Sequence, residues 1–392
     1  MKSNPSPQVH PAPKTAGLFW AFLRLGLTAF GGPAMISYIR EMAVEKKKWL
    51  DDASFREGVA LCQTIPGATA MQTTAYVGLR ARGLLGAGAS FMGFGLPAFT
   101  MMMALSALYV RGHELPMALS AFAGLGALVV AIVANATVSF GARTLQIWQG
   151  WLIALAAAGL FGLGTSPLAV ILLAMLLGLL LLKGKRLPAG SAAAPRRLYS
   201  QRSFIGLLVL TGAALTLLLI ADSRLFKLAV LMTKIDISAF GGGFASVPLM
   251  FHEIVDVRHW LDGPTLLNGI ALGQITPGPI VITATFIGYL LYGPLGGIVA
   301  TISVFLPSFL VVVGVAPYYE RLRMSGLFQK AIEGILCSFV GLLLSVTVRF
   351  AMNVPWDLTR ILLAVAAFVA LRLKVNILWV VIIGTIISVL VF

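Results

Sequence analysis

The chain has 392 residues, 59% of them hydrophobic and only 11% charged, with a mean hydropathy of +0.94. A soluble domain carries about a quarter charged residues, so this composition excludes an ordinary soluble enzyme or binding module. It describes an all-α polytopic membrane protein, whose apolar runs approach the ~20 residues that cross a bilayer core. The net charge of +15 lies largely in short loops between those runs, where it sets orientation and meets lipid headgroups, so no nucleic acid partner is expected.

In chain order, residues 1–15 form a polar, proline-rich tail without the apolar core of a signal peptide. The first membrane unit covers 16–183, with apolar runs at about 16–30, 57–80, 84–110, 117–141, 148–163 and 166–183. A polar linker, 184–202, and a connecting apolar helix, 203–221, follow. The second unit, 222–392, has runs at about 225–239, 265–291, 295–317, 326–351, 359–371 and 376–391. Each run is expected to be helical, because a segment in lipid must satisfy its own backbone.

The two units are copies. Phe30 pairs with Phe240 at an offset of 210 residues, Trp49 with Trp260 and Gln63 with Gln274 at 211, and Pro97 with Pro307 and Gly124 with Gly334 at 210. A repeat of this size is half a transporter. Basic residues occupy alternate loops in the two copies. Arg40, Lys46, Lys47, Lys48 and Arg56 face a single counterpart, Arg258, whereas Arg111 faces Arg321 and Arg323. Under the positive-inside rule this pattern predicts inverted repeats. Six crossings per copy plus 203–221 gives thirteen segments. Arg80 and Arg82 leave a second reading open: basic residues at both ends of the second run suit a segment that dips in and returns at Pro66, giving five crossings per copy.

Each copy is interrupted twice. FGGP (30–33) and FGGG (240–243) break the first run; ALCQTIPGA (60–68) and ALGQITPGP (271–279) break the second. Proline removes a backbone donor, and glycine lets the chain turn and a ligand approach. Paired interruptions in repeats point to a transport site, here Gly31, Gly32, Pro33, Pro66 and Gly67 with Gly241, Gly242, Gly243, Pro277 and Gly278. Gln63 and Gln274 precede the proline breaks and can donate amide hydrogen bonds to an oxyanion. Thr64, Thr69, Thr276 and Thr283 can do the same or bond their own helix. Arg24 and Lys234 stand at equivalent places six residues before the FGG breaks. Intramembrane charge is a functional signal, so these two cations favour an anion.

Four acids are candidates for proton coupling. Glu41 and Glu253 follow the FGG breaks, Glu333 lies in an apolar run where its counterpart is Ala123, and Asp236 stands beside Lys234. Cys62 and Cys337 lie in apolar runs, and His10, His113, His252 and His259 show no metal-ligand spacing. No CxxC or Walker A loop is present, so neither a redox enzyme nor ATP drive within this chain is expected. No cofactor or metal is expected either.

Together, FGGPAMISY, Glu41 with KKKWLDD, ALCQTIPGA, FGGGFASVPL, HWLDG and GQITPGPI resemble the chromate ion transporter family in its two-domain form. The resemblance implies a multi-pass carrier of the bacterial inner membrane that exports chromate and confers chromate resistance. It also implies coupling to the proton motive force and sulfate as competitor; apart from the resemblance, a homodimer stays open. Lys234 and Asp236 depart from the apolar, small-residue stretch expected before the second FGGG. The alternative is a sulfate or other oxyanion carrier on the same scaffold, since two tetrahedral dianions are hard to tell apart without a differing contact.

Overall fold

The computed structural model describes residues 13–30, 34–112, 116–182 and 200–391. Gly31, Gly32 and Pro33, most of the polar tail and most of the linker lie outside them. Among the described residues every regular element is helical. The first copy contains α1 (Thr15–Thr28), α2 (Ala34–Arg40), α3 (Asp52–Thr64), α4 (Thr69–Gly112), α5 (Pro116–Thr144), α6 (Trp148–Gly162) and α7 (Pro167–Leu181). The connecting helix is α8 (Gln201–Ala221). The second copy contains α9 (Ser223–Ser238), α10 (Ser246–Phe251), α11 (Gly263–Ile275), α12 (Thr283–Val315), α13 (Tyr319–Met324), α14 (Gly326–Met352), α15 (Leu358–Arg372) and α16 (Ile377–Val391).

The backbone repeats in detail. α2 and α10 each widen into a π-helical turn, Glu41–Lys46 and His252–Val257. Lys48 and His259 then share a left-handed φ of 51°. Asp51 and Asp262 cap α3 and α11 by accepting from the N–H of Ser54 and Thr265, and the Ser54 amide holds the Asp51 carboxyl below its ordinary range. α4 breaks at Arg82–Gly83 and α12 at Tyr292–Gly293, with φ of 64° and 63° at the two glycines.

These breaks make re-entrant hairpins. α3 and the first part of α4 fold back on each other about Pro66–Gly67, so that Gly58 lies against the Tyr76 ring and Arg80 Nη2 donates to Ser54 Oγ at 3.2 Å. At the same face Arg40 bonds Asp52 and Arg82 donates to the Pro13 carbonyl. α1 and α2 therefore also enter and leave on one side. Neither of the first two apolar runs crosses, which differs from both counts expected above. Four apolar helical segments per copy remain: the second part of α4 with α5, α6 and α7, and their equivalents; of these, α4, α5, α12 and α14 are long and apolar enough to span a bilayer. α8, between the copies, is also long and apolar enough to span, and one such odd segment inverts the second copy. Re-entrant and crossing runs have the same apolar composition, so only the basic residues at both ends of a run distinguish them.

α5 and α14 cross as antiparallel neighbours, Gly126 against Val354 and Gly141 against Val340. Both are long and apolar enough to span a bilayer. The pseudo-two-fold axis relating the copies runs across them and hence within the membrane plane: the repeats are inverted. The face bearing Lys46, Lys47, Lys48, Arg56, Arg80 and Arg82, with Arg323 beside Asp52 and Arg56, is the cytoplasmic one by the positive-inside rule.

The copies exchange their C-terminal arms. α6 and α7 pack on α14 of the other copy, and α15 and α16 pack on α5. Gly178 meets Gly334, where a Cβ on Gly334 would stand 2.4 Å from the Ala174 carbonyl oxygen. Small residues let backbones approach this closely in lipid, where dispersion rather than water expulsion holds helices together. At the equivalent place Gly124 N–H donates to Ser388 Oγ at 2.9 Å, and that hydroxyl donates to the Ser120 carbonyl at 2.5 Å.

Candidate functional site

The two re-entrant tips lie by one cavity, and each caps the first helix of the other copy. Gly67 N–H donates to the Ala239 carbonyl at the end of α9 (2.7 Å), and Gly278 N–H donates to the Ala29 carbonyl at the end of α1 (3.1 Å). Each buried group left unpaired would cost about 1–3 kcal/mol. Both glycines have a φ of 114°, a conformation that L side chains rarely adopt. The sequence PG at both tips is thus a backbone requirement. A second tie holds the first tip alone: Ala68 N–H donates to Ser308 Oγ at 2.9 Å.

A cavity of about 400 Å³ opens beside the tips. Four helical stretches begin at its wall. Met35 and Ile36 belong to the first turn of α2, Thr69 and Ala70 to that of α4, Gly243–Ala245 lead into α10, and Ile280 leads into α12. Helix starts carry unpaired N–H groups and partial positive charge, which suits an anion. The carbonyl ends of α1 and α9, which would oppose one, are capped by the tip amides. α5 forms one wall from Ile132 through Asn135 and Ser139 to Arg143. These three polar residues recur every four positions and lead from mid-helix to the cytoplasmic end. Among the described residues Arg143 is the only charged side chain in the lining. Gln63 and Gln274 both line the cavity, and Gln274 Nε2 is buried without an acceptor.

The structure groups some of the sequence candidates and separates others. Gly241, Gly242, Gly243, Gln63, Gln274 and Gly278 share the cavity wall, whereas Pro66, Gly67 and Pro277 form the tips behind it. Thr69 and Thr276 line it too, although Thr276 donates its hydroxyl to the Gly273 carbonyl (2.9 Å). Arg24 is exposed on α1, away from the cavity, and Lys234 Nζ bonds Glu253 Oε1 at 2.5 Å. Spacing placed both cations near the breaks, but their positions on the helices turn them outward. Glu253 also pairs with Arg258, and Glu41 with Lys46 at 2.8 Å. Glu333 is half-buried on α14 and makes no ion pair among the described residues, including with Lys330. Asp236 is 1% exposed and bonded to Ser308. Arg143 escaped the sequence reading because repeat matching pairs it with Asn353; the polar stripe on α5 was the available signal.

Comparison with known proteins adds a second line of support. The chromate transporter family matches residues 16–179 and again 226–389. An uncharacterized transporter of Methanocaldococcus jannaschii is 42% identical over 97% of this chain and 95% of its own length. A chromate transport protein of Cupriavidus metallidurans is 32% identical over 93% of this chain and 90% of its own. A probable chromate transport protein of Synechococcus elongatus is also 32% identical, covering 92% and 91%. No solved structure matches the chain.

Proposed function

The chain belongs to the chromate transporter family, and from that premise we propose that it exports chromate across the plasma membrane of a bacterium, driven by the proton motive force. The observation that carries this reading is the convergence of four helix starts and Arg143 on one cavity. In a low-dielectric site, fixed N–H dipoles and a guanidinium replace the hydration shell of a dianion. The Asn135–Ser139–Arg143 stripe leads to the basic face, which fits loading from the cytoplasm. Gln63 and Gln274 supply amide donors, with Gly31, Gly32 and Pro33 as the first copy's equivalents of Gly241–Gly243. Sulfate competes because the lining offers no contact that distinguishes one tetrahedral dianion from the other. This chain acts as a carrier, with no covalent step.

The test is flux of radiolabelled chromate and sulfate in proteoliposomes, with and without a pH gradient. Saturable chromate exchange, inhibited by sulfate and accelerated by the gradient, is expected. Sulfate flux without chromate flux would assign the alternative substrate, and flux of neither would overturn the reading.

A further inference from the structure

We propose that Asp236 is the proton-binding group of this carrier, and that Ser308 transmits its ionisation to the tip of the first re-entrant hairpin. The inference rests on the reading of the chain as a proton-coupled anion carrier and names the group that does the coupling.

Asp236 sits in the last turn of α9, 1% exposed. Ser308 Oγ lies 2.8 and 3.0 Å from its two carboxylate oxygens and at the same time accepts the Ala68 N–H. Among the described residues no charge faces it from the surrounding elements. α12 contains no acid, base or histidine, only Tyr289 and Tyr292 near its first break. α10 contains no titratable residue, and beyond it His252 lies beside Asp256 while Glu253 is held by Lys234 and Arg258. α8 carries only Arg202, exposed in its first turn, and the tip 65–68 carries none. On α9 itself Lys234 is turned to Glu253. An uncompensated carboxylate at this depth is costly, and the other acids near the FGG breaks, Glu41 and Glu253, are neutralised by cations.

The chain of bonds changes with the proton. With Asp236 ionised, Ala68 N–H donates to Ser308, and the Ser308 hydroxyl donates to a charged acceptor, so both bonds point the same way and the second is charge-assisted. With Asp236 protonated, the hydroxyl faces a neutral carboxyl whose own O–H competes for Oγ, and the tie to Ala68 weakens. Ala68 is flanked by Gly67, which caps α9, and by Thr69, which lines the cavity. The proton is thus read out where the anion binds. Only one copy has the device. The equivalents of Asp236 and Ser308 are Gly26 and Ala98, and Ala98 simply packs against Gly278.

The test compares the parent with Asp236→Asn and Ser308→Ala in proteoliposomes, reading chromate counterflow at equal pH and flux driven by a proton gradient. The parent is expected to show a several-fold acceleration by the gradient. Asp236→Asn should abolish that acceleration while counterflow persists, and Ser308→Ala should flatten the pH profile although the carboxylate remains. Undiminished acceleration in both variants, or its loss in Glu333→Gln with retention in Asp236→Asn, overturns the proposal. Absence of counterflow in the parent would instead strike the carrier reading itself.

Discussion

Thr137 and Thr347 stand 210 residues apart at equivalent places in the two copies, and their hydroxyls meet at 3.3 Å. Symmetry-related residues touch only on the axis that relates them. The axis therefore passes between α5 and α14 at these threonines, perpendicular to two helices that span the membrane.

Inversion and re-entry together predict a labelling pattern that neither predicts alone. Single cysteines at Lys47 and Arg82 should react with an impermeant maleimide from the cytoplasmic side, and cysteines at Asp262 and Gly293 from the opposite side. Labelling of 47 and 82 from different sides would mean that the first hairpin crosses after all.

Arg143→Gln should raise the KM for chromate about tenfold or more, since a hydrogen bond to a charged group is worth roughly 1.5–3 kcal/mol. Its side chain is exposed to the cavity, so detergent stability should hold. Arg24→Gln is the comparison. If the anion's route runs through the cavity, this variant keeps its flux, and a loss equal to that of Arg143→Gln would place a second cation on the route.

Gly67→Ala should destabilise the protein by more than the roughly 1–3 kcal/mol of backbone strain alone, because its Cβ would stand 2.1 Å from Ser308 Oγ. Gly164→Ala isolates the strain: φ there is 91° and nothing lies within 4 Å of the added atom. Thermal melting in detergent should rank Gly67→Ala well below Gly164→Ala.

The exchanged arms predict that the halves are interdependent. Fragments 1–200 and 201–392, expressed together, should copurify and restore flux, because the main docking face of α6 and α7 among the described residues is on α14. Either fragment transporting alone at parental rate would contradict this.

Much of this architecture is written locally. The Phe30/Phe240 and Gln63/Gln274 pairings reveal the copies, the FGG and PG interruptions mark the breaks, and the displaced arginines report inversion. The structure adds what depends on distant contacts. Nothing adjacent to Asp236 announces Ser308, 72 residues on. Gly334 does not disclose that it lies against Gly178 rather than its own arm. The outward turn of Arg24 depends on which face of a 14-residue helix meets α4: Leu18, Phe22 and Gly26 are the buried ones, and Arg24 lies off that stripe.

The polar stripe on α5 has a counterpart that this conformation keeps occupied. Shifting Asn135, Ser139 and Arg143 by 210 residues lands on Ser345, Arg349 and Asn353, again one residue every four along α14. Arg349 is at present clamped by Asp256 and donates to the Phe161 carbonyl of the exchanged arm at 3.0 Å. The second state open to an inverted pair is the one in which each copy takes up the other's present shape. In that state α14 would line the vestibule on the far side of the membrane, and Arg349, released from its clasp by Asp256, would stand to it as Arg143 now stands to the present cavity.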